Sequence, residues 1–227
     1  MTLAIQAFAD RATLMQRAAN AIGAALNDGI KTRGAACAAL SGGSTPGPAY
    51  ECLAALRLDW PRITFALVDE RCVPPADPAS NEGLLRRALA PALSAGARLV
   101  PMYSGAPTAD PVDAAYAGLS LDIAVMGMGA DGHTASWFPG GDGLAAALDP
   151  NSTRTVVGVR APQAAGAVDR LTLTRAALNR ADRVLLLITG ENKRARLEAA
   201  LTGKIEYAPV AALFTRPGRQ PEVLWAP

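Results

Sequence analysis

Gly34-Ala-Ala-Cys-Ala-Ala-Leu40 runs directly into Ser41-Gly42-Gly43-Ser44-Thr45-Pro46. A short apolar run closed by a glycine-rich turn reads as a buried strand. Pro46 just past the turn, with its fixed φ, suits the first turn of a helix. The same grammar recurs outward along the chain. Residues 63–68, Ile-Thr-Phe-Ala-Leu-Val, read as a strand stopping at Asp69-Glu70-Arg71. Residues 121–126, Leu-Asp-Ile-Ala-Val-Met, form another strand and end in a second glycine-rich loop. Residues 154–159 and 183–188 supply two more, the latter the most apolar and read as central. Helical periodicity covers 10–28, with Asp10 as N-cap, then 81–89 and 191–201. A late strand pair is expected near 210–214 and 222–225. Strands alternating with helices predict an α/β fold: a mostly parallel, doubly wound sheet with helices on both faces and late short strands at the C-terminus. Ligands on such sheets bind outside the carboxyl ends of the strands.

The 227 residues fit one α/β domain, 1–227. Half are hydrophobic and 19% are charged, so a large core can be buried. A net charge of +2 with scattered basic residues argues against a nucleic-acid surface. Three cysteines, Cys37, Cys52 and Cys72, show no metal-ligand spacing and suit a reducing compartment. The N-terminus lacks signal-peptide character, and no run reaches the roughly 18 apolar residues of a membrane span. A cytoplasmic protein without a membrane partner is expected.

What stands at the strand ends carries the chemistry. In Ser41-Gly42-Gly43-Ser44-Thr45, glycines admit close approach of an anion, and backbone N–H groups, a helix start and two hydroxyls supply donors. No Gly-Lys-Ser/Thr element or dinucleotide fingerprint is present, and an ordinary strand-to-helix turn fits this stretch equally well. Asp69-Glu70-Arg71 taken alone is better read as a surface loop with an ion pair. Its Arg71 fork suits phosphate or carboxylate, and Asp69 suits orienting a cation or proton transfer. Gly127-Met-Gly-Ala-Asp-Gly-His-Thr134 holds His133, the only histidine of the chain. Asp131, two residues earlier, can accept from one ring nitrogen and raise the basicity of the other. Lys193 opens a helix, where a cation sits badly with the helix dipole unless an anion is near. Arg170 is a further candidate cation. A solvated surface residue is the competing reading for both. One histidine and no cysteine pair make a metal site a poor reading. No Gly-x-Ser-x-Gly nucleophile elbow appears.

These elements together resemble the 6-phosphogluconolactonase family. The resemblance rests on Leu40-Ser-Gly-Gly-Ser-Thr-Pro46, Asp69-Glu-Arg-Cys-Val-Pro74 with Ser80-Asn81, Gly127-Met-Gly-Ala-Asp-Gly-His-Thr-Ala-Ser136 with Phe138-Pro-Gly140, Arg170-Leu-Thr-Leu-Thr174 and Gly190-Glu-Asn-Lys193. It implies hydrolysis of 6-phospho-D-glucono-1,5-lactone to 6-phosphogluconate, the second step of the oxidative pentose phosphate pathway, without metal or organic cofactor. By the match, Gly42, Gly43, Ser44, Thr45 and Lys193 hold the phosphate, with Arg71 as a further substrate cation. His133 is the general base supported by Asp131, with Asp69 a further catalytic candidate. A monomer or small homo-oligomer is expected. Glucosamine-6-phosphate deaminases of the same superfamily share the phosphate loop, Asp69 and the Asp-Gly-His element. They carry a glutamate where this chain has Phe138, which favours the lactonase. A non-catalytic sugar-phosphate-binding protein is the remaining alternative.

Overall fold

The computed structural model describes residues 3–164 and 166–227. In chain order the elements are β1 (Ile5–Ala7), α1 (Arg11–Arg33), β2 (Ala36–Leu40), α2 (Gly47–Ala54), β3 (Ile63–Leu67), β4 (Asp69–Arg71), α3 (Asn81–Ala88), α4 (Ala90–Ser94), β5 (Arg98–Leu99), α5 (Asp110–Ala117), β6 (Ile123–Gly127), α6 (Leu144–Leu148), β7 (Val156–Arg160), β8 (Asp169–Leu173), α7 (Arg175–Arg180), β9 (Arg183–Thr189), α8 (Glu191–Ala200) and β10 (Glu222–Ala226). Seven strands form a parallel sheet in the order β1-β10-β9-β6-β2-β3-β5. The run 183–188, expected at the centre, is β9, an interior strand beside the middle one, β6.

Every residue of β2 and β3 is buried, so both faces of the sheet are covered. On one face α1 lies across β2, β6, β9 and β10. Its start is fixed by the Asp10 side chain, which accepts from the Thr13 N–H at 2.7 Å. The apolar core draws side chains from Leu14 of α1 to Ala226 of β10. No helix among the described residues is long and apolar enough to cross a membrane.

Two features depart from the sequence-based expectation. The segment Pro209–Thr215, which contains the run expected as a strand at 210–214, is a 3₁₀ helix. Pro209 and two alanines suit that helix, and the edge it would have occupied belongs to β1, which pairs with β10. The late strand at 222–226 is present as β10. The second departure is an added three-stranded antiparallel sheet, β4-β8-β7. It takes the 154–159 strand out of the parallel sheet and turns the charged triplet Asp69–Arg71 into a strand.

The topology points to the site. From β2 the chain moves to β3 and β5 on one side, then returns to β6 on the other side. The connections therefore diverge above β2 and β6, leaving a crevice outside their carboxyl ends. The two glycine-rich loops leave those two strand ends.

Candidate active site

A cleft of about 220 Å³ lies in this crevice, lined by Ser41, Gly42, Gly43, Ser44, Thr45, Asp69, Arg71, Asn81, Gly129, His133, Arg170 and Lys193 among others. Every residue singled out from sequence lines it except Asp131, which reaches it through His133.

The His133 loop is built around the imidazole. Asp131 Oδ1 is 2.6 Å from His133 Nδ1 and also accepts from the His133 backbone N–H at 3.1 Å. The carboxyl of Asp131 feels two opposed effects. Partial burial pushes it up, and the hydrogen bonds and charge of His133 bring it below its ordinary value. An ionised Asp131 holds the proton on Nδ1 and leaves the lone pair on Nε2. Gly129 N–H donates to the His133 carbonyl at 2.9 Å, closing the loop. A Cβ at Gly129 would lie 2.1 Å from His133 Cε1, so the ring rests directly on the bare glycine. The Phe138 ring stacks on the imidazole with centroids 4.1 Å apart and 29° between planes.

Opposite this loop stands the added sheet. Arg71 and Arg170 are register partners across β4 and β8, as are Asp69 and Thr172. Strand alternation puts Asp69 and Arg71 on one face and Glu70 on the other. Two like charges directly across a ladder are unfavourable unless an opposite charge joins them. Asp69 supplies one such charge, and a bound anion would supply another. Asp69 is buried and accepts from Ser136 Oγ at 2.6 Å and from Asn81 Nδ2 at 3.3 Å. Arg71 donates to Ala79 O at 2.6 Å and to Asn81 Oδ1 at 2.8 Å, while its buried Nε has no partner among the described residues. Burial lowers the Arg170 guanidinium from its ordinary value, and the Asp69 charge opposes that.

The phosphate-loop candidate packs as closely. A Cβ at Gly42 would lie 1.8 Å from Asn81 Oδ1, so a glycine is needed for the loop to reach β4 and α3. Ser41 lines the cleft, and its buried Oγ has no hydrogen-bond partner among the described residues. Lys193 sits in the first turn of α8 and forms no ion pair or hydrogen bond among the described residues. Burial, then the nearby charge of Arg11, lowers its ammonium below the ordinary value. A half-buried cation without a carboxylate, beside a loop of N–H groups, is the electrostatic environment of an anion site.

Sequence reading missed three supports. Glu70, only 1% exposed, accepts from the backbone N–H groups of Arg71, Asn81 and Glu82 and from Ser80 Oγ, at 2.6 to 3.0 Å. It caps α3 and ties Arg71 to Asn81. Asn81 and Ser136 both bind Asp69. The signal available was Ser80 with Asn81 at a helix start; nothing local marked their bonds to a strand ten residues away. Among the described residues no cluster of three or more His, Cys, Asp or Glu side chains could hold a metal ion.

Comparison with known proteins shows what the whole chain is similar to. The family model described as glucosamine-6-phosphate isomerases/6-phosphogluconolactonase matches residues 9–225. The chain is 39% identical to a 6-phosphogluconolactonase of Rhizobium meliloti over 100% of both chains. It is 40% identical to a 6-phosphogluconolactonase of Mesorhizobium japonicum, over 97% of this chain and 94% of the relative. The crystal structure of a 6-phosphogluconolactonase from Shewanella baltica superposes with a TM-score of 0.92 at 28% identity, covering 100% of this chain and 98% of the other.

Proposed function

The chain belongs to the glucosamine-6-phosphate isomerase/6-phosphogluconolactonase family, and from that premise we propose that it hydrolyses 6-phospho-D-glucono-1,5-lactone to 6-phospho-D-gluconate in the oxidative pentose phosphate pathway, with His133 as general base. The observation that carries the reading is the Asp131–His133 pair, whose 2.6 Å contact engages Nδ1 and leaves Nε2 as the nitrogen available for proton transfer on a residue that lines the cleft.

The phosphate docks on Gly42, Gly43, Ser44, Thr45 and Lys193 and anchors the ring. His133 Nε2 takes a proton from water as the water oxygen adds to the lactone carbonyl. The carbonyl π electrons move onto oxygen, and the tetrahedral oxyanion needs donors. Arg71, whose Nε has no partner among the described residues, suits this role better than Gly129, whose N–H is spent on the His133 carbonyl. The C–O bond to the ring oxygen then breaks, and His133 returns its proton to that oxygen. General-base action contributes on the order of 10²–10⁴-fold. The neighbour that a ring-opening deaminase would need as a carboxylate is the apolar Phe138, stacked on His133, which favours the lactonase.

The test couples product formation to a 6-phosphogluconate dehydrogenase, with the uncatalysed hydrolysis subtracted. His133→Ala is expected to lose on the order of 10²-fold or more in rate. Near-full activity in that variant would remove His133 as the base. Ammonia release from glucosamine 6-phosphate would move the assignment to the deaminase branch.

A further inference from the structure

Phe138 is 5% exposed, yet it is not part of the continuous apolar core. Its predecessor Trp137 is, with no exposed surface and its indole N–H donating to Leu173 O at 2.9 Å. One residue is thus anchored in the core, and the next lays its ring behind two residues that line the cleft, His133 and Arg170. There the ring stacks on the His133 imidazole at 4.1 Å, and the Arg170 guanidinium lies over it, 5.0 Å from the centroid. A phenyl ring buried against two polar site residues, outside the core, has its packing partners in the site itself.

We propose that Phe138 is a positioning residue for His133, its ring fixing the plane of the imidazole so that Nε2 faces the substrate. This rests on the reading of His133 as the base. The imidazole is otherwise held at Nδ1 by Asp131 and along its Nδ1–Cε1 edge by the close approach of Gly129. The Asp131 hydrogen bond fixes which nitrogen carries the proton, but a single bond leaves the ring free to rock about the Nδ1···Oδ1 line. Contact with Gly129 and Phe138 stops that motion. The face of a phenyl ring also favours the imidazolium that forms as the water proton is taken. Arg170, sharing contact with the ring, ties the imidazole to the cationic side of the cleft. The effect lies on the chemical step, because Phe138 is not among the residues assigned to hold the phosphate.

The experiment uses full-length, tag-free protein, in which His133 is the only histidine. One imidazole Cε1–H resonance therefore reports the site directly. Phe138→Leu keeps an apolar side chain and removes the ring. Its kcat is expected to fall about tenfold or more with KM within about twofold, and the His133 resonance to move downfield as the ring-current shielding is lost. Phe138→Tyr, which keeps the ring, is expected to restore both. A Phe138→Leu enzyme with wild-type kcat, or an unmoved resonance, overturns the proposal. So does loss of its cooperative thermal unfolding, which would make the ring a core residue. His133→Ala separates this from the parent reading. If that variant stays active, the base assignment fails. If it is inactive while Phe138→Leu is unchanged, only the positioning role fails.

Discussion

Replacing Gly129 by alanine sets a methyl group where the His133 imidazole now lies. The built Cβ falls 2.1 Å from His133 Cε1, 2.2 Å from Nδ1 and 2.7 Å from Asp131 Oδ1. Carbon atoms settle at about 3.5–4.0 Å, so the ring must retreat by about 1.5 Å or swing off its bond to Asp131. Gly129 does not have a positive φ, so alanine is tolerated by the backbone and the effect is one of packing alone. A displacement of about 1 Å at a reacting group costs about 10²-fold, equivalent to about 3 kcal/mol on the barrier. The loss should fall on kcat, because the phosphate-loop residues and Lys193 are untouched. Coupled lactonase kinetics measure it, with a thermal melt to show that the fold persists. A Gly129→Ala enzyme with kcat within about twofold of wild type would mean that the imidazole position does not matter to the rate, and the proposed chemistry would fall with it.

Other expectations follow from the same geometry. Lys193→Ala removes the cation beside the phosphate loop and is expected to raise KM by about tenfold or more with a smaller change in kcat; an unchanged KM would take Lys193 out of the phosphate site. Glu70→Gln keeps the shape of the side chain but turns an amide NH₂ toward donors, since both carboxylate oxygens accept from N–H or O–H groups. It should lower stability by about 2 kcal/mol, read as a shift in the denaturant midpoint. A midpoint equal to wild type would show that α3 and the Arg71 strand hold themselves without it.

Legibility followed the range of the interactions. The strands at 36–40, 63–67 and 123–127 and the loops after them are written locally, as apolar runs broken by glycine or charge. The helix at 81–88 carries its own cap, with Ser80 Oγ accepting from the Gly83 N–H at 3.1 Å. The Asp131–His133 pair spans two residues, and sequence spacing was enough to suggest it. The triplet Asp69-Glu70-Arg71 was different. Local reading makes three charges after a strand a surface feature, whereas Asp69 and Glu70 are buried. Their burial depends on β8, about a hundred residues away, and on Ser136, 67 residues away. Phe138 shows the same limit, because an aromatic beside a tryptophan gives no sign of which one enters the core.

The sequence by itself determined the alternating α/β architecture, the two glycine-rich turns and the identity of the one imidazole. Those follow from backbone preference and from hydrophobic periodicity within a few residues. Tertiary structure alone decided that β2 and β6 lie side by side with their chains diverging. It also decided that β4 leaves the parallel sheet to pair with β8, and that two arginines meet across that ladder. Each of these is a contact between distant segments whose stability comes from burial and hydrogen bonds shared between them. No local stretch of chain contains both partners of such a bond, so none can announce it.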